Sequence, residues 1–442
     1  MNFLGLTSKT ALLFWYFCVI TSSFAVANPL PIFALHSGRQ IYTDPVVSRN
    51  GQWVGYGAWT FQHRNPHIQN IYWHQLPNNW PSFSMPTIYS HSLSSPDLNV
   101  NRLVLNSNGL NAWFFNSNSS NHFFSEWMLL GSPVRNFQSG SGTRVTASSL
   151  NDFGVFAGRL HTQGQSADRA VVFDTQGMSR ILPFDASNVR GDTAANVINN
   201  QGVVGGSMVF PVNRRGILRA EPHAAVWVPT NPSLPKGEGW GRMPLDVHPT
   251  SSDHIIIGSS ATHLSSSPDA SHPERVWVGG NLWTEASASD PTVISFGFVR
   301  QGIGSGSQGL TILSGDGCRL IESIHSYLVG LPCVQSTLIG INLQMAVGYA
   351  YYRKSDQSLM LVPFYVPLIQ LGSGIYDLNS RAELGRAALP SASPEIWDRL
   401  DFISGLSEQN TVVGMGRFRG DNGPALRGFV IRFESMHTVL PF

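Results

Sequence analysis

Four carboxylates in the middle of the chain are of the residue type that glycoside hydrolysis requires. They are Asp152, Asp192, Glu221 and Asp246. Hydrolases of this kind use a pair of carboxyl groups held roughly 5 to 9 Å apart. Asp152 occupies a tight-turn position where aspartate caps the backbone, and the other three follow no common spacing. The sequence therefore predicts no catalytic residues. An exported hydrolase acting on glycans is kept as the alternative to the non-catalytic function predicted at the end of this section.

Histidines form the second candidate group, because imidazole is a common ligand of transition metals. Five of them fall within one and a half repeat units, at His223, His248, His254, His263 and His272. These five lack a fixed ligand spacing, and the pair His63 and His67 lies in a Pro- and Asn-rich loop where helical spacing has no meaning. The sequence therefore predicts no metal site and no cofactor.

Two further motifs are explained by turns. The Gly-Ser clusters at 140–142 and 302–309 lack the G-x-S-x-G spacing of a serine nucleophile. Arg-Gly-Asp occurs at Arg190–Asp192 and Arg419–Asp421, the second copy in a predicted hairpin tip. Because tight turns select Gly, Asp and Asn in any case, we interpret both tripeptides as structural.

The residues just discussed lie within an internal repeat, which is clearest in the middle of the chain. Leu150–Gly158 aligns with Ile198–Gly206 in the pattern apolar, Asn, x, x, Gly, x, apolar, small, Gly. This pattern predicts a tight turn with its glycine at positive φ, followed by a strand. Related copies are Val47–Gly55 and Leu406–Gly414, which has Asn410 at the first glycine position, and then Leu105–Trp113, Ile341–Gly348 and Thr250–Gly258.

A short aromatic or β-branched strand follows each turn, which gives eight such strands at intervals of about 51 residues. Their positions are 71–73, 123–127, 170–173, 223–227, 275–278, 310–313, 360–362 and 428–431. Each unit has two apolar faces and must stack on its neighbours. The prediction is an all-β fold with a single β-propeller of eight blades, or alternatively seven, over residues 28–442. The segments 30–35 and 436–440 could pair to close the ring, and 380–389 with 393–400 are predicted to be a short helical insertion in the last unit.

The first 27 residues have the organisation of a secretory signal. Lys9 precedes an apolar run at 11–20, and Ala25-Val26-Ala27 forms a cleavage site. We therefore expect a secreted or periplasmic product cleaved after Ala27, with no transmembrane segment. An oxidising compartment would allow Cys318 and Cys333 to form a disulfide.

Charge argues against one class of partner. Removing the leader leaves equal numbers of basic and acidic residues, because Lys9 is lost from 28 basic residues against 27 acidic ones. A neutral chain is a poor ligand for nucleic acid. We expect a monomer whose partner is a protein or a glycan.

The repeat also resembles that of the extracellular HAF-repeat proteins of bacteria. Ala194–Gly205 resembles the first half of their unit and His223–Trp227 the second, whereas Arg169 and Arg427 replace the histidine elsewhere. The end of the chain is similar too, through 377–380, 406–414 and 428–431. The resemblance implies export and a propeller-like architecture, and it carries no catalytic residues. The predicted function is a non-catalytic binding or surface-interaction module, and an enzyme is the less favoured interpretation.

Overall fold

The fold was obtained as a computed structural model. It describes residues 33–34, 41–42, 44–62, 65–76, 87–92, 98–107, 110–117, 123–129, 132–138, 143–174, 179–184, 191–230, 240, 245–249, 255–269, 271–285, 292–303, 309–382, 384, 396–420 and 423–433. The predicted leader 1–27 lies outside these residues. No helix within the described ranges is long and apolar enough to cross a membrane.

The described strands form seven sheets, numbered here in chain order. The chain begins with β1 (Phe33–Ala34), which belongs to sheet 7. Sheet 1 contains β2 (Ile41–Tyr42), β3 (Val46–Val47), β4 (Trp53–Gln62), β5 (Asn65–Gln75) and β6 (Thr87–Ser92), and sheet 2 contains β7 (Leu98–Leu105), β8 (Leu110–Ser117), β9 (Phe123–Leu129) and β10 (Ser132–Gln138). Sheet 3 contains β11 (Thr143–Leu150), β12 (Val155–Thr162), β13 (Arg169–Asp174) and β14 (Ser179–Ile181). Sheets 4 and 5 contain β15 (Thr193–Ile198), β16 (Val204–Arg214), β17 (Ile217–Trp227) and β18 (Leu245–Asp246); and β19 (Ile255–Leu264), β20 (Trp277–Glu285), β21 (Val293–Gln301) and β22 (Leu310–Leu313). Sheets 6 and 7 contain β23 (Leu320–Glu322), β24 (Gln335–Ile341), β25 (Met345–Arg353), β26 (Leu359–Pro367) and β27 (Ile375–Asp377); and β28 (Ile396–Leu406), β29 (Thr411–Gly420) and β30 (Gly423–Arg432).

Most strands follow one another as antiparallel meanders, with two departures. In sheet 6, β23 pairs in parallel with β27. In sheet 7, the fourth strand is β1 from the start of the chain, with Phe33 opposite Val430 and Ala34 opposite Phe429. β1 lies within the segment 30–35 that was predicted to pair with 436–440, and that predicted partner lies outside the described residues.

The hydrophobic core lies between neighbouring sheets, because each sheet has two apolar faces to cover. Val155, Val172 and Trp227 pack together between sheets 3 and 4, and Trp277, Leu338 and Phe364 between sheets 5 and 6. Val54 and Tyr56 of sheet 1 pack against Val413 and Val430 of sheet 7. Stacked four- and five-stranded meanders of this kind are consistent with a β-propeller-like fold.

The repeated Asn has two structural tasks at the end of the first strand of a sheet. The Oδ1 of Asn151 accepts hydrogen bonds from the backbone N–H of Phe153 and Val155, which closes the turn. Its Nδ2 donates to the carbonyl of Asn199, the equivalent residue of the next sheet. Asn199 repeats both roles toward Val203 and Ser265. The signature therefore joins neighbouring sheets as well as forming a turn.

The predicted positive φ at the first glycine of the repeat is confirmed. Gly154 and Gly202 both have φ of 77°, Gly51 has 66°, and Asn410, the predicted replacement, has 59°. The last glycine has a different role, because it faces a β-bulge in the first strand. A Cβ on Gly158 would lie 2.0 Å from the carbonyl oxygen of Thr146, so only glycine fits there.

Sheet 5 explains why eight units were expected where seven sheets are found. The segment 310–313 is β22, the outer strand of sheet 5, and 275–278 leads into its second strand, so both belong to one unit. The predicted copy of the turn motif at Thr250–Gly258 is also wrong, because Gly258 lies within strand β19. The actual turn begins at Ser265, whose backbone pairs with Trp277 across a long loop that hides the pattern.

The predicted helix at 393–400 is wrong, because Ile396–Leu406 forms β28. Its buried residues Trp397, Leu400 and Ile403 recur every third position, as they would in a helix. Register shifts follow Trp397, Leu400 and Ile403, so each bulge inserts one extra residue and the strand adopts a period of three. The only α-helix in the described part is the short α1 (Leu378–Arg381), and residues 385–395 lie outside it.

Cys318 and Cys333 lie together, with Cα atoms 5.6 Å apart and sulfur atoms at bonding distance. Both are buried. The pair is therefore positioned for the predicted disulfide, and it would close the loop that carries β23.

Candidate binding cavity between the first strands

A cavity of about 770 Å³ lies between seven strands, one from each sheet, which are called the inner strands below. All seven inner strands, β3, β7, β11, β15, β19, β24 and β28, contribute residues to its wall. Its volume falls within the range of small-molecule sites. We call this space the central cavity.

Bulges in the inner strands determine which side chains line the central cavity. Ser148, Asn196, Thr262, Ile339 and Ser404 are each the extra residue at a register shift, and all five line the cavity. A bulge re-aims the side chain of its extra residue, which is why bulges occur next to functional sites. Each of these residues stands three positions before the turn residue of its repeat.

One side of the cavity, formed by sheets 3 and 4, offers hydrogen-bonding groups and is called the polar arc. The Asn196 Nδ2 donates to Ser260 and Ala261, which leaves Oδ1 as an acceptor. The Ser149 hydroxyl accepts from the Ile198 N–H at 3.2 Å and keeps its own proton to donate. Ser148 makes no hydrogen bond with the side chains that the structure describes, and it is half-buried.

The other side of the cavity, formed by sheets 6 and 7, is aromatic. Tyr349, Tyr351 and Phe402 line it, and all three are half-buried. The rings of Tyr349 and Tyr351 meet edge to face with centroids 6.3 Å apart. We call these three residues the aromatic wall.

Arg49 closes one end of the cavity. It follows the inner strand of sheet 1, and its guanidinium pairs with Glu408 of sheet 7 at 2.9 Å. The same group donates to the Ile198 carbonyl of sheet 4 at 3.0 Å and to the Ser266 hydroxyl of sheet 5 at 3.5 Å. One side chain of sheet 1 therefore contacts sheets 4, 5 and 7. The cavity therefore has a floor at the turn ends of its strands.

The two charged side chains of the floor, Arg49 and Glu408, form an ion pair with each other and hydrogen bonds with the backbone. Glu408 accepts from the N–H and the hydroxyl of Ser266 in addition to Arg49. Both charged side chains are largely buried, with 15% and 20% of their side-chain areas exposed. At the other end of the inner strands, Asp44 is exposed, and partial desolvation raises the pKa of its carboxyl.

Of the four carboxylates considered in the sequence, the three whose side chains the structure describes, Asp152, Asp192 and Glu221, do not line the central cavity. Asp152 accepts from the Ser107 N–H and from Asn200, as a turn residue should, and Asp192 accepts from the Asp168 N–H. Glu221 is buried in a bidentate pair with Arg214. Asp246 lies on β18 opposite Ala225, and its side chain is outside the described part.

The four described histidines of the five lie in three separate places. His263 lines the cavity and its Nε2 lies 3.3 Å from the Leu338 carbonyl, whereas His272 pairs with Glu274 at the surface. His223 and His248 stack with ring centroids 3.9 Å apart. His254 and His63 lie outside the described residues, and His67 is on β5. Among the described residues no group of three or more His, Cys, Asp or Glu could hold a metal ion.

The cavity residues were not identified from the sequence, although a signal for them exists. The repeat is anchored by the Asn or Ser of the turn, and the position three residues earlier reads Pro45, Leu103, Ser148, Asn196, Thr262, Ile339 and Ser404. These residues vary where the turn itself is constant. A position whose residue type varies from one repeat to the next, while the turn beside it stays constant, is not needed for the turn and can serve to bind a ligand.

No family model and no curated protein matches this sequence. Among solved structures, prolyl oligopeptidase B from Galerina marginata is 9% identical with a TM-score of 0.43, covering 87% of this chain and 47% of that one. Polysaccharide lyase Uly1 is 8% identical with a TM-score of 0.42, covering 92% and 100%. The tricorn protease is 11% identical with a TM-score of 0.27, covering 87% and 44%. The chain thus spans about half the length of the prolyl oligopeptidase.

Proposed function

We propose that the protein is an exported, non-catalytic binding module that takes its ligand in the central cavity. The observation that carries this proposal is the composition of the cavity wall. The polar arc and the aromatic wall both line it, whereas Asp152, Asp192 and Glu221 lie elsewhere. Recognition needs such a wall, whereas hydrolysis needs a free pair of carboxyl groups.

The architecture we propose for this module is a closed β-propeller of seven blades within residues 28–442. It is supported by the contact of sheet 1 with sheet 7 and by the pairing of β1 with β30. Membership of the HAF-repeat proteins and cleavage after Ala27 are part of the same proposal. Mass spectrometry of the exported protein tests the cleavage, and an intact N-terminus would contradict it.

Among the described residues, the carboxylates that line the cavity are Asp44 and Glu408, and a hydrolytic function there would have to use them. Glu408 is a poor candidate, because its Oε1 already accepts hydrogen bonds from the Arg49 guanidinium and from the N–H and hydroxyl of Ser266.

The test is to incubate the mature protein with arrays of glycans and of exported proteins and to analyse the bound material by mass spectrometry. We expect specific binding, with every bound oligosaccharide or protein recovered intact. Asp44→Asn should leave the recovered material unchanged. Shorter products that disappear in Asp44→Asn would overturn the proposal in favour of the hydrolase.

A further inference from the structure

Two groups of side chains with different chemistry line the central cavity from different sheets. The polar arc of Ser148, Ser149 and Asn196 comes from sheets 3 and 4, and the aromatic wall of Tyr349, Tyr351 and Phe402 from sheets 6 and 7. A ligand that fits must present hydrogen-bonding groups on one edge and a flat apolar face on the other. A pyranose ring has this character, with hydroxyl groups around its edge and C–H groups on its faces.

The polar arc offers both hydrogen-bond donors and hydrogen-bond acceptors, as the binding of hydroxyl groups requires. Asn196 offers an acceptor in its Oδ1, and Ser149 offers a donor, because its oxygen already accepts from Ile198. Ser148 offers both a donor and an acceptor. A sugar hydroxyl is also both donor and acceptor, so it can satisfy each of these groups.

The charge of the cavity excludes anionic ligands. Arg49 is the only described arginine or lysine that lines the cavity, and Glu408 neutralises it while the Ile198 carbonyl and the Ser266 hydroxyl take further donors. Asp44 adds a negative charge near the opening. An acidic ligand would meet repulsion there and find no uncompensated cation inside, so we expect the ligand to be neutral.

The floor formed by Arg49 limits how a ligand can lie. Because the guanidinium joins sheets 1, 4, 5 and 7, a polymer cannot pass through the cavity without breaking those contacts. A chain can enter from the Asp44 end and must stop at the floor. The site is therefore built for a chain end and not for an internal stretch.

We propose that the ligand of the central cavity is the terminal segment of a neutral oligosaccharide, with its rings against the aromatic wall and its hydroxyl groups on the polar arc. This inference rests on the proposed function, since it specifies the ligand of the same site. It adds that the ligand is an oligosaccharide, that this ligand carries no charge and that the cavity recognises the end of its chain.

The experiment measures binding of the mature protein to neutral oligosaccharides immobilised through their reducing ends, with oligogalacturonides as the acidic arm. We expect neutral ligands to bind and acidic ones not to bind. Tyr351→Leu should weaken binding about tenfold, because the aromatic stacking surface is lost. Tyr351→Phe should retain most of the affinity, since it keeps the ring.

Tyr327→Leu is the matched control, because Tyr327 is 57% exposed and does not line the cavity. Thermal melting of each variant shows whether it is folded. End recognition is tested with maltohexaose and α-cyclodextrin as competitors when a malto-oligosaccharide binds, since both contain the same linkage and only the first has ends. For any other neutral ligand, the competitor pair is the free oligosaccharide and the same compound capped at its non-reducing end.

The outcomes separate the two proposals. Neutral binding that falls in Tyr351→Leu, is unchanged in Tyr327→Leu and is lost on capping or cyclisation supports the inference. Binding of oligogalacturonides alone, or equal competition by the cyclic or capped compound, overturns the inference and leaves the binding module standing. An absence of binding to any glycan or protein would overturn both.

Discussion

At the scale of single residues, the repeated asparagine does more than a turn residue needs. Asn199 accepts two backbone hydrogen bonds in its own turn and donates to the Ser265 carbonyl of the next sheet. Serine at the same position, as in Ser48, keeps the local role, with its hydroxyl accepting from the Trp53 N–H and donating to Asn50. The turn could be predicted from sequence because it is local, whereas the contact with the next sheet spans 66 residues and could not.

We predict that Asn199→Asp destabilises the protein by about 1–3 kcal/mol, because a carboxylate keeps the turn acceptor but faces the Ser265 carbonyl without a proton to donate. The urea midpoint of unfolding measures this. The matched control is Asn213→Asp at an exposed position near the tip of the β16–β17 hairpin, where the midpoint should hardly change. Equal midpoints for the two variants would show that the inter-sheet bond contributes nothing.

A second prediction at this scale concerns His74, which is buried and shares a hydrogen bond of 2.6 Å with the Tyr56 hydroxyl. Burial lowers the pKa of His74 from 6.5 to about 4. In the unfolded chain the imidazole takes up a proton near pH 6.5, whereas the folded protein resists protonation until about pH 4. Stability from this group is therefore fully present above pH 6.5 and falls as the pH decreases toward 4, by up to roughly 3 kcal/mol.

The measurement for His74 is the melting temperature as a function of pH between 4 and 7.5. His74→Gln should be less stable at neutral pH and should show a shallower loss on acidification. His161→Gln serves as the control, because His161 is exposed on β12. A loss on acidification that is as steep in His74→Gln as in the unmodified protein would rule out this histidine as its source.

At the scale of elements, the bulge of each inner strand connects the repeat to the cavity. The last glycine of the motif lies opposite the residue before the bulge, as Gly206 does opposite Ala195, and the extra residue Asn196 then lines the cavity. Bulges also explain the error at β28, where three of them give a strand the three-residue period of buried positions that favours a helix. A sequence pattern shows the spacing of apolar residues but not which of them is left unpaired.

We predict opposite outcomes for the two glycines of one repeat. Gly206→Ala should be strongly destabilising, by more than about 2 kcal/mol, because its Cβ would lie 1.8 Å from the Ala194 carbonyl oxygen. Gly202→Asn should change stability by less than about 1 kcal/mol, since asparagine tolerates positive φ and a Cβ there meets nothing closer than 3.6 Å. Thermal melting compares the two, and a Gly206→Ala protein as stable as Gly202→Asn would contradict the proposed role of the bulge.

At the scale of the whole molecule, the sequence was sufficient for the all-β class, the meander units and the pairing of Cys318 with Cys333 as a candidate. The number of units was harder to predict, because the loop between Ser265 and Trp277 interrupts the motif in sheet 5 and makes one sheet resemble two units. The cavity floor could not be predicted either, since Arg49 reaches residues that are 149 and 359 positions away along the chain. Such contacts depend on how sheets are arranged, which no local pattern encodes.

The central claim is that ligands bind between the inner strands, and a cysteine placed in the cavity tests it most directly. In a protein produced without residues 1–27, which contain Cys18, Ser148→Cys adds one thiol to Cys318 and Cys333, which are positioned to pair, so a fluorescein maleimide can be attached at residue 148 alone. Ser166→Cys, at an exposed position outside the cavity, carries the same label as a control. We predict that labelling at residue 148 abolishes binding on the glycan and protein arrays while labelling at residue 166 leaves it intact. Equal binding by the two labelled proteins would place the ligand elsewhere and contradict the account.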